Sequence, residues 1–381
     1  MINLYTIIKA KRKGKIPFLL LCVLGLMLGN KVEAQRVYAN TEQHSATQSI
    51  LVVTLSEVTN PTNAVDTPNF SNFSTLFTTL GALSLIEAWQ NLQFPSTPLI
   101  SSPIIIKYGG SASLISLLAG TSIQPTLSGS LVGSPYTQST FLGLLNAGAT
   151  DAEIILPAPN ISYNGIRLKV SSTLLGAALT AKYYYAFYIA APLVSNQTIC
   201  SNTTATLTIT NAQAGYTYKW YNATMDTLLQ SSTAISFTTP ALSAAKTYNV
   251  VAYESSSGTA FYSGNTPVTV NINPLPTITT ATPIYICHGL SVFPLSYGSP
   301  ANNPNMYSIT WSNAATLAGF SAVAYTTLTS SPLNIPKPIA APIATYQGSF
   351  LIKNSNNCVN TYPFSLIVQS PPDPHATTTF Q

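Results

Sequence analysis

Apolar and polar positions alternate along this chain in short runs broken by clusters of Gly, Pro, Ser and Asn, and 36–190 holds no long stretch at helical spacing. A period of two puts successive side chains on opposite faces of a strand. On that basis 50–55, 85–94, 104–108, 165–170 and 179–189 are the clearest strands of a first, all-β region. In the last of them Leu179, Ala181, Tyr183, Tyr185, Phe187 and Ile189 share one face and Lys182, Tyr184 and Tyr188 the other. The segment 111–148 has no clean period, and 113–119 fits a short helix and a buried strand equally.

Two further blocks continue the pattern. Ala205, Leu207 and Ile209 alternate with threonines, Tyr218 and Trp220 share a face, and Val268, Val270 and Ile272 close the block. Strands at this spacing fit a seven-strand sandwich. Pro274 and Pro276 form a spacer that a sheet does not accept, and a third block follows it. A chain of 381 residues exceeds the roughly 100 that one sandwich core needs. The expected fold is all-β, a tandem of β-sandwiches: a jelly-roll-like domain over 35–190, an Ig-like domain over 191–273, a PKD-like or Ig-like domain over 274–369 and a disordered tail over 370–381.

Residues 1–34 read as a signal peptide: Lys9, Lys11, Arg12, Lys13 and Lys15 precede an apolar run over 16–29, and Val32-Glu33-Ala34 is a small-residue cleavage site. That run is shorter than the roughly 20 residues a spanning helix needs. The leader also changes the charge. It holds six of the 15 basic residues and one of the 10 acidic ones, so nine of each remain and the formal +5 disappears. No basic surface is then left for a nucleic acid, and no later apolar run is long enough to span a membrane. With so few charges, solubility falls to Ser, Thr, Asn and Gln on outward strand faces, as in exported β-rich chains.

Three cysteines follow the leader: Cys200, Cys287 and Cys358. Cys287, then Trp311, then Cys358 before the alternating Phe364, Leu366 and Val368 is the order in which a small sandwich staples its sheets around one large ring. The expected disulfide is therefore Cys287–Cys358. Cys200 is left over as a free thiol, an intermolecular bridge or the relic of a lost pair, with a buried inert thiol as the default.

Three resemblances add to this reading. Asn63-Ala64-Val65-Asp66, Phe70 to Thr75 and the run Gly165 to Val170 resemble the galactose-binding-like jelly rolls of the discoidin type. Cys200, Trp220 and Thr247 to Val250 resemble bacterial Ig-like modules found in tandem on exported proteins. Tyr307 to Ser312, Ala318-Gly319-Phe320, Ser331-Pro332-Leu333, Thr345 to Gly348, Asn354, Cys358 and Tyr362-Pro363-Phe364 resemble the PKD-like modules of surface and secreted proteins of Gram-negative gliding bacteria. Together they imply a place outside the cytoplasm: extracellular, at the cell surface or in the periplasm.

Groups for catalysis are scarce. The histidines are His44, His288 and His375, and no nucleophile elbow, phosphate-cradling loop or paired-cysteine metal motif occurs. Asp151 and Glu153 lie two apart and share a strand face, which is a solvated pair before it is a hydrolase pair. Asp66 among Asn63, Asn69 and Asn72 is a candidate Ca²⁺ loop set against a turn-forming role, and no other cofactor is implied. Tyr163, Tyr184 and Tyr188 are candidates for an aromatic platform against sugar rings. Trp220 and Trp311 read as core, while Trp89 lies on a strand of mixed faces. The expectation is a non-catalytic binding or adhesion protein whose partner is a glycan or a surface protein. A purely structural stalk is the alternative, and a polysaccharide hydrolase the remote one.

Overall fold

The computed structural model describes residues 36–47, 55–66, 70–79, 86–110, 120–136, 151–172, 178–254 and 261–371. The leader, Asn69, the segment 113–119, most of the expected strand at 50–55 and the tail from 372 on lie outside them.

The first domain has strands β1 (Arg36–Tyr38), β2 (Thr41–Ala46), β3 (Ser56–Thr59), β4 (Ser74–Thr78), β5 (Ile86–Gln93), β6 (Ile104–Gly110), β7 (Thr121–Leu127), β8 (Ser130–Leu131), β9 (Asp151–Leu156), β10 (Gly165–Ser172) and β11 (Leu179–Ile189). They form two sheets of antiparallel strands. One runs β3-β4-β11-β6-β9 with β1 beside β11; the other runs β2-β5-β10-β7-β8. Leu76, Ile106, Tyr108 and Tyr183 from the first interlock with Leu92, Ile123, Ile166 and Leu168 from the second. The runs read as strands at 85–94, 104–108, 165–170 and 179–189 are β5, β6, β10 and β11.

Strand β11 departs from strict alternation. Tyr183 pairs with Tyr108 and Tyr185 with Lys107, so Tyr184 is an extra residue, a β-bulge. Before the bulge, odd-numbered residues face the first core; after it, Ala186 and Tyr188 do, while Tyr185, Phe187 and Ile189 turn to the opposite side. That side is not solvent. Phe187, Ile189 and Ile105 belong to the same buried cluster as Trp220, Tyr248 and Phe261 of the second domain.

Charge and rings close this contact. Arg36 Nε donates to Glu254 Oε2 at 2.7 Å, and its guanidinium carbon stands 4.6 Å from the centre of Phe187 and 5.3 Å from that of Phe261. Tyr216 donates its hydroxyl to Glu254 Oε2 at 3.1 Å. Phe187 and Phe261 meet edge to face at 5.7 Å. The backbones also come close: a Cβ on Gly264 would lie 2.6 Å from Ser102 Oγ.

In the second domain a sheet runs Gln197–Cys200, Thr266–Asn273, Lys246–Glu254, Tyr216–Tyr221, Leu228–Ser232, with Phe261–Tyr262 beside Lys246–Glu254. The pair Thr206–Thr208 and Ser236–Thr238 covers it, with Phe237 stacked on the buried Trp220 at 5.2 Å. The third domain repeats the plan. Ile284–Cys287, Val359–Gln369, Thr345–Asn354, Pro304–Trp311 and Val323–Thr327 form its main sheet, and Val292–Leu295 with Leu333–Pro336 cover it. A short helix α1 (Asn313–Leu317) starts on a Ser312 cap, and Trp311, half-buried, meets the rings of Phe293, Phe320 and Phe364.

The disulfide is not the expected one. Cys200 is bonded to Cys358, their Cα atoms 5.5 Å apart, and Cys287 is a free thiol. The reason lies in strand register. Cys287 pairs with Gln369, while Cys358 stands just before the start of that same strand, Val359–Gln369. At about 3.3 Å per residue the two sites are some 35 Å apart, far beyond a disulfide's reach. In the second domain Cys200 pairs with Asn273, the last residue before the spacer, and so comes out beside the third domain. The spacer itself is held: the carbonyls of Pro274, Leu275 and Pro276 accept from the side-chain amides of Asn354 (3.1 Å), Asn302 (2.8 Å) and Asn360 (3.1 Å).

Burial raises the pKa of Tyr108, Tyr163, Tyr183 and Tyr185 above the ordinary phenol value, and the hydrogen bond to Glu153 raises that of Tyr185 further. A phenol whose folded value lies above its unfolded one contributes stability that is intact below about pH 10 and lost as the pH climbs toward the folded value. The phenolate absorbance of these rings is therefore expected to appear together with loss of the β-sheet circular dichroism signal. Full titration near pH 10 with the sheet signal intact would contradict these burials.

Among the described residues no helix is long and apolar enough to cross a membrane.

Candidate functional site

With one face of the first sheet on its own core and the other against the second domain, the broad face of the first domain that no other sheet covers among the described residues is the outer side of β2-β5-β10-β7-β8. Five strands at about 4.8 Å spacing make this face roughly 19 Å wide. Register decides what lies on it. Ala88, Leu168 and Val170 point inward, so Glu87 and Trp89 on β5 and Arg167 and Lys169 on β10 point outward.

Lys169 is opposite Trp89, and Arg167 is its diagonal neighbour, close enough for a long side chain to reach the ring. The guanidinium carbon lies 3.9 Å from the centre of the Trp89 ring. Lys169 Nζ donates to Glu87 Oε2 at 3.1 Å. Arg167 Nη2 donates to the Gly129 carbonyl at 2.7 Å. That last contact depends on a two-residue hairpin between β7 and β8, where Ser128 and Gly129 both have positive φ, 50° and 83°. A glycine suits the second of these, where a Cβ would also lie 2.7 Å from Gln43 Oε1.

Between these side chains is a hollow of about 140 Å³ lined by Glu87, Trp89, Ser122, Gln124, Leu131, Arg167 and Lys169. On the β2 side of Trp89 lies a second, of about 190 Å³, with Ser45, Ala46 and Thr47. Glu87 and Trp89 line both, so the two hollows form one line across the sheet. Each is smaller than the roughly 300 Å³ at which a cavity encloses a whole small molecule. Such a face holds points along an extended ligand rather than swallowing a compact one.

The residues singled out by sequence lie elsewhere. Tyr163 is fully buried and donates to the Ser102 carbonyl at 2.8 Å. Tyr188 is 5% exposed, with Ser96 on its hydroxyl at 2.6 Å and Phe94 edge-on. Tyr163 belongs to the first core, and the bulge in β11 turns Tyr188 inward, where it borders a hollow of about 350 Å³ with Leu99, Leu193 and Pro267. Tyr184, the bulged residue, packs on Phe73 at 5.2 Å with Lys107 Nζ 4.7 Å above it. The three do not form a platform.

In the proposed calcium loop, Asp66 Oδ2 accepts from Asn72 at 2.9 Å and Asn63 donates to the Phe73 carbonyl at 3.2 Å, bonds that brace the loop. The carboxylates at 151 and 153 are separately engaged: Asp151 is 3.8 Å from Lys107 Nζ, and Glu153 accepts from the Tyr185 hydroxyl at 2.7 Å. Among the described residues no three His, Cys, Asp or Glu side chains cluster as a metal site.

Sequence reasoning left Trp89 undecided and passed over Glu87, Arg167 and Lys169. Their signal was a period of two in two separate runs, which meet only once β5 and β10 are known to be neighbours.

Residues 190–274 match the family described as Ig-like domain CHU_C associated. An Ig-like domain is a binding, adhesion or structural module. No curated protein matches the chain. Among solved structures, insect hemolin is 10% identical, with 88% of this chain and 100% of that one covered at a TM-score of 0.24. A two-domain fibronectin type III segment of chicken tenascin is 13% identical, covering 46% and 97% at 0.21. A beta-1,2-glucanase from Parabacteroides distasonis is 12% identical, covering 64% and 38% at 0.30. None of these likenesses says what this chain binds.

Proposed function

We propose that this is an exported, non-catalytic binding protein whose first domain lays a polysaccharide across the outer face of β2-β5-β10-β7-β8, while the second and third domains serve as a bridged stem. The observation that carries it is the Trp89–Arg167 stack, which stands beside two small hollows in line on the broad face that no other sheet covers among the described residues. An aromatic ring with polar side chains around it suits the apolar faces and hydroxyl rims of sugars. The jelly-roll reading of this domain is supported by its strand order: β4-β11-β6-β9 against β5-β10-β7-β8 winds two Greek keys between the sheets. Export is supported by the match to an Ig-like family typical of secreted bacterial proteins; the native N-terminus is then Gln35.

The test is affinity electrophoresis of the full chain through gels containing neutral and acidic polysaccharides. Retardation by at least one polymer is expected, and the Trp89→Ala variant should weaken it about tenfold or more, as truncating a central aromatic anchor does. Free migration through every gel would favour the stem-only reading.

A further inference from the structure

We propose that the hollow beside Trp89 takes an anionic group, a carboxylate or a sulfate ester carried by the polysaccharide. This deepens the reading of the same face and rests on it. Of the side chains lining the hollow only Arg167, Lys169 and Glu87 are ionisable, two cations against one carboxylate. That carboxylate is already engaged with Lys169 at 3.1 Å. Among the described residues no carboxylate forms an ion pair with Arg167.

What Arg167 does have is weak as charge compensation. Its Nη2 donates to a neutral carbonyl, its plane lies on an indole, and its Nε–H is buried with no acceptor among the described residues. Taking a cation out of water without a partner is unfavourable, and an oxygen anion docking on the side of the guanidinium that lines the hollow offsets that loss. The direction of its pKa agrees: burial lowers it, and only the field of Glu87 opposes.

Geometry favours a pendant group over a whole ring. About 140 Å³ is room for one substituent, and the Ser122 hydroxyl and Lys169 on its rim can complete the coordination of two or three oxygens. Ser122 is opposite Lys169 in the register of β7 and β10, so the donors approach from two strands and Arg167 from the adjoining pair. The sugar bearing the substituent then has the Trp89 edge and the second hollow for its neighbours along the polymer.

The experiment measures binding of the full chain to polygalacturonate, dextran sulfate and neutral dextran by titration calorimetry at about 50 mM and about 500 mM NaCl. The two acidic polymers separate carboxylate from sulfate as the source of charge. At least one is expected to bind about tenfold or more tightly than dextran, with affinity falling several-fold at high salt. Arg167→Gln should remove about tenfold of that preference, and Lys169→Gln a smaller part. Circular dichroism and melting curves check each variant's fold, and Lys169→Gln decides alone if Arg167→Gln melts early. Equal binding of dextran and the acidic polymers, lost in Trp89→Ala, would overturn the anionic ligand and leave the polysaccharide face standing. Binding to none of the three, with none to a wider neutral panel, would overturn both.

Discussion

The Cys358→Ser variant is expected to free the joint between the second and third domains. In the unfolded-chain entropy model a crosslink over 158 residues is worth about 5 kcal/mol, an upper bound here because each domain also has its own core. The loss should show as earlier melting of both domains and as protease cleavage near the proline spacer. Three asparagine side chains still hold that spacer, so adding Asn354→Ala should deepen the effect. The control is Cys287→Ser: Cys287 is the free thiol among the described residues, and its replacement should leave melting as in wild type. If Cys287→Ser melted like Cys358→Ser, the pairing would be wrong.

Removing the Phe187 ring is expected to have the second large effect. Phe187 leaves β11 into the cluster built around Trp220 and Tyr248, and carries Arg36 on its face and Phe261 at its edge. Truncating a buried phenylalanine costs about 3–5 kcal/mol where the site does not collapse. Phe187→Ala also strands the Arg36–Glu254 pair, which the ring helps shield from water. Calorimetry should show the second domain destabilised although the mutation lies in the first. Gly264→Val tests the same contact without touching a core, since its side chain would collide with Ser102. A second domain that melts normally in both variants would mean that the two domains are joined only by their linker.

Much of this fold was legible as pattern. Strands β5, β6, β10 and β11 stand where the sequence pattern put them; β10 alternates because one face is in a core and the other outside, whereas β6 is buried on both. What failed was the meaning of the outer face on β11. Period-two counting assigned Tyr188 outward; one bulged residue shifts the phase and a second domain covers that side, and neither leaves a local mark in the sequence. The disulfide failed for a related reason. A cysteine–tryptophan–cysteine spacing fits a staple within one sandwich, but parallel pairing of the first and last strands puts Cys287 at the far end from Cys358. The binding face was legible only in halves: Glu87 with Trp89, and Arg167 with Lys169, each alternate correctly, and a sequence does not say which strands are neighbours.

Tyr184 has one more consequence for the chain. Shortening a strand by one residue normally inverts every side chain beyond the cut and ruins the core. Here the residue at 184 is surplus to the ladder, so its removal would convert β11 to a regular strand with Tyr183, Ala186 and Tyr188 still pointing one way and Phe187 and Ile189 the other. Loss of Ala186, two places on, would swap the hydrophobic complements of two domains at once. The same strand thus holds one of the most dispensable positions in the chain and one of the least.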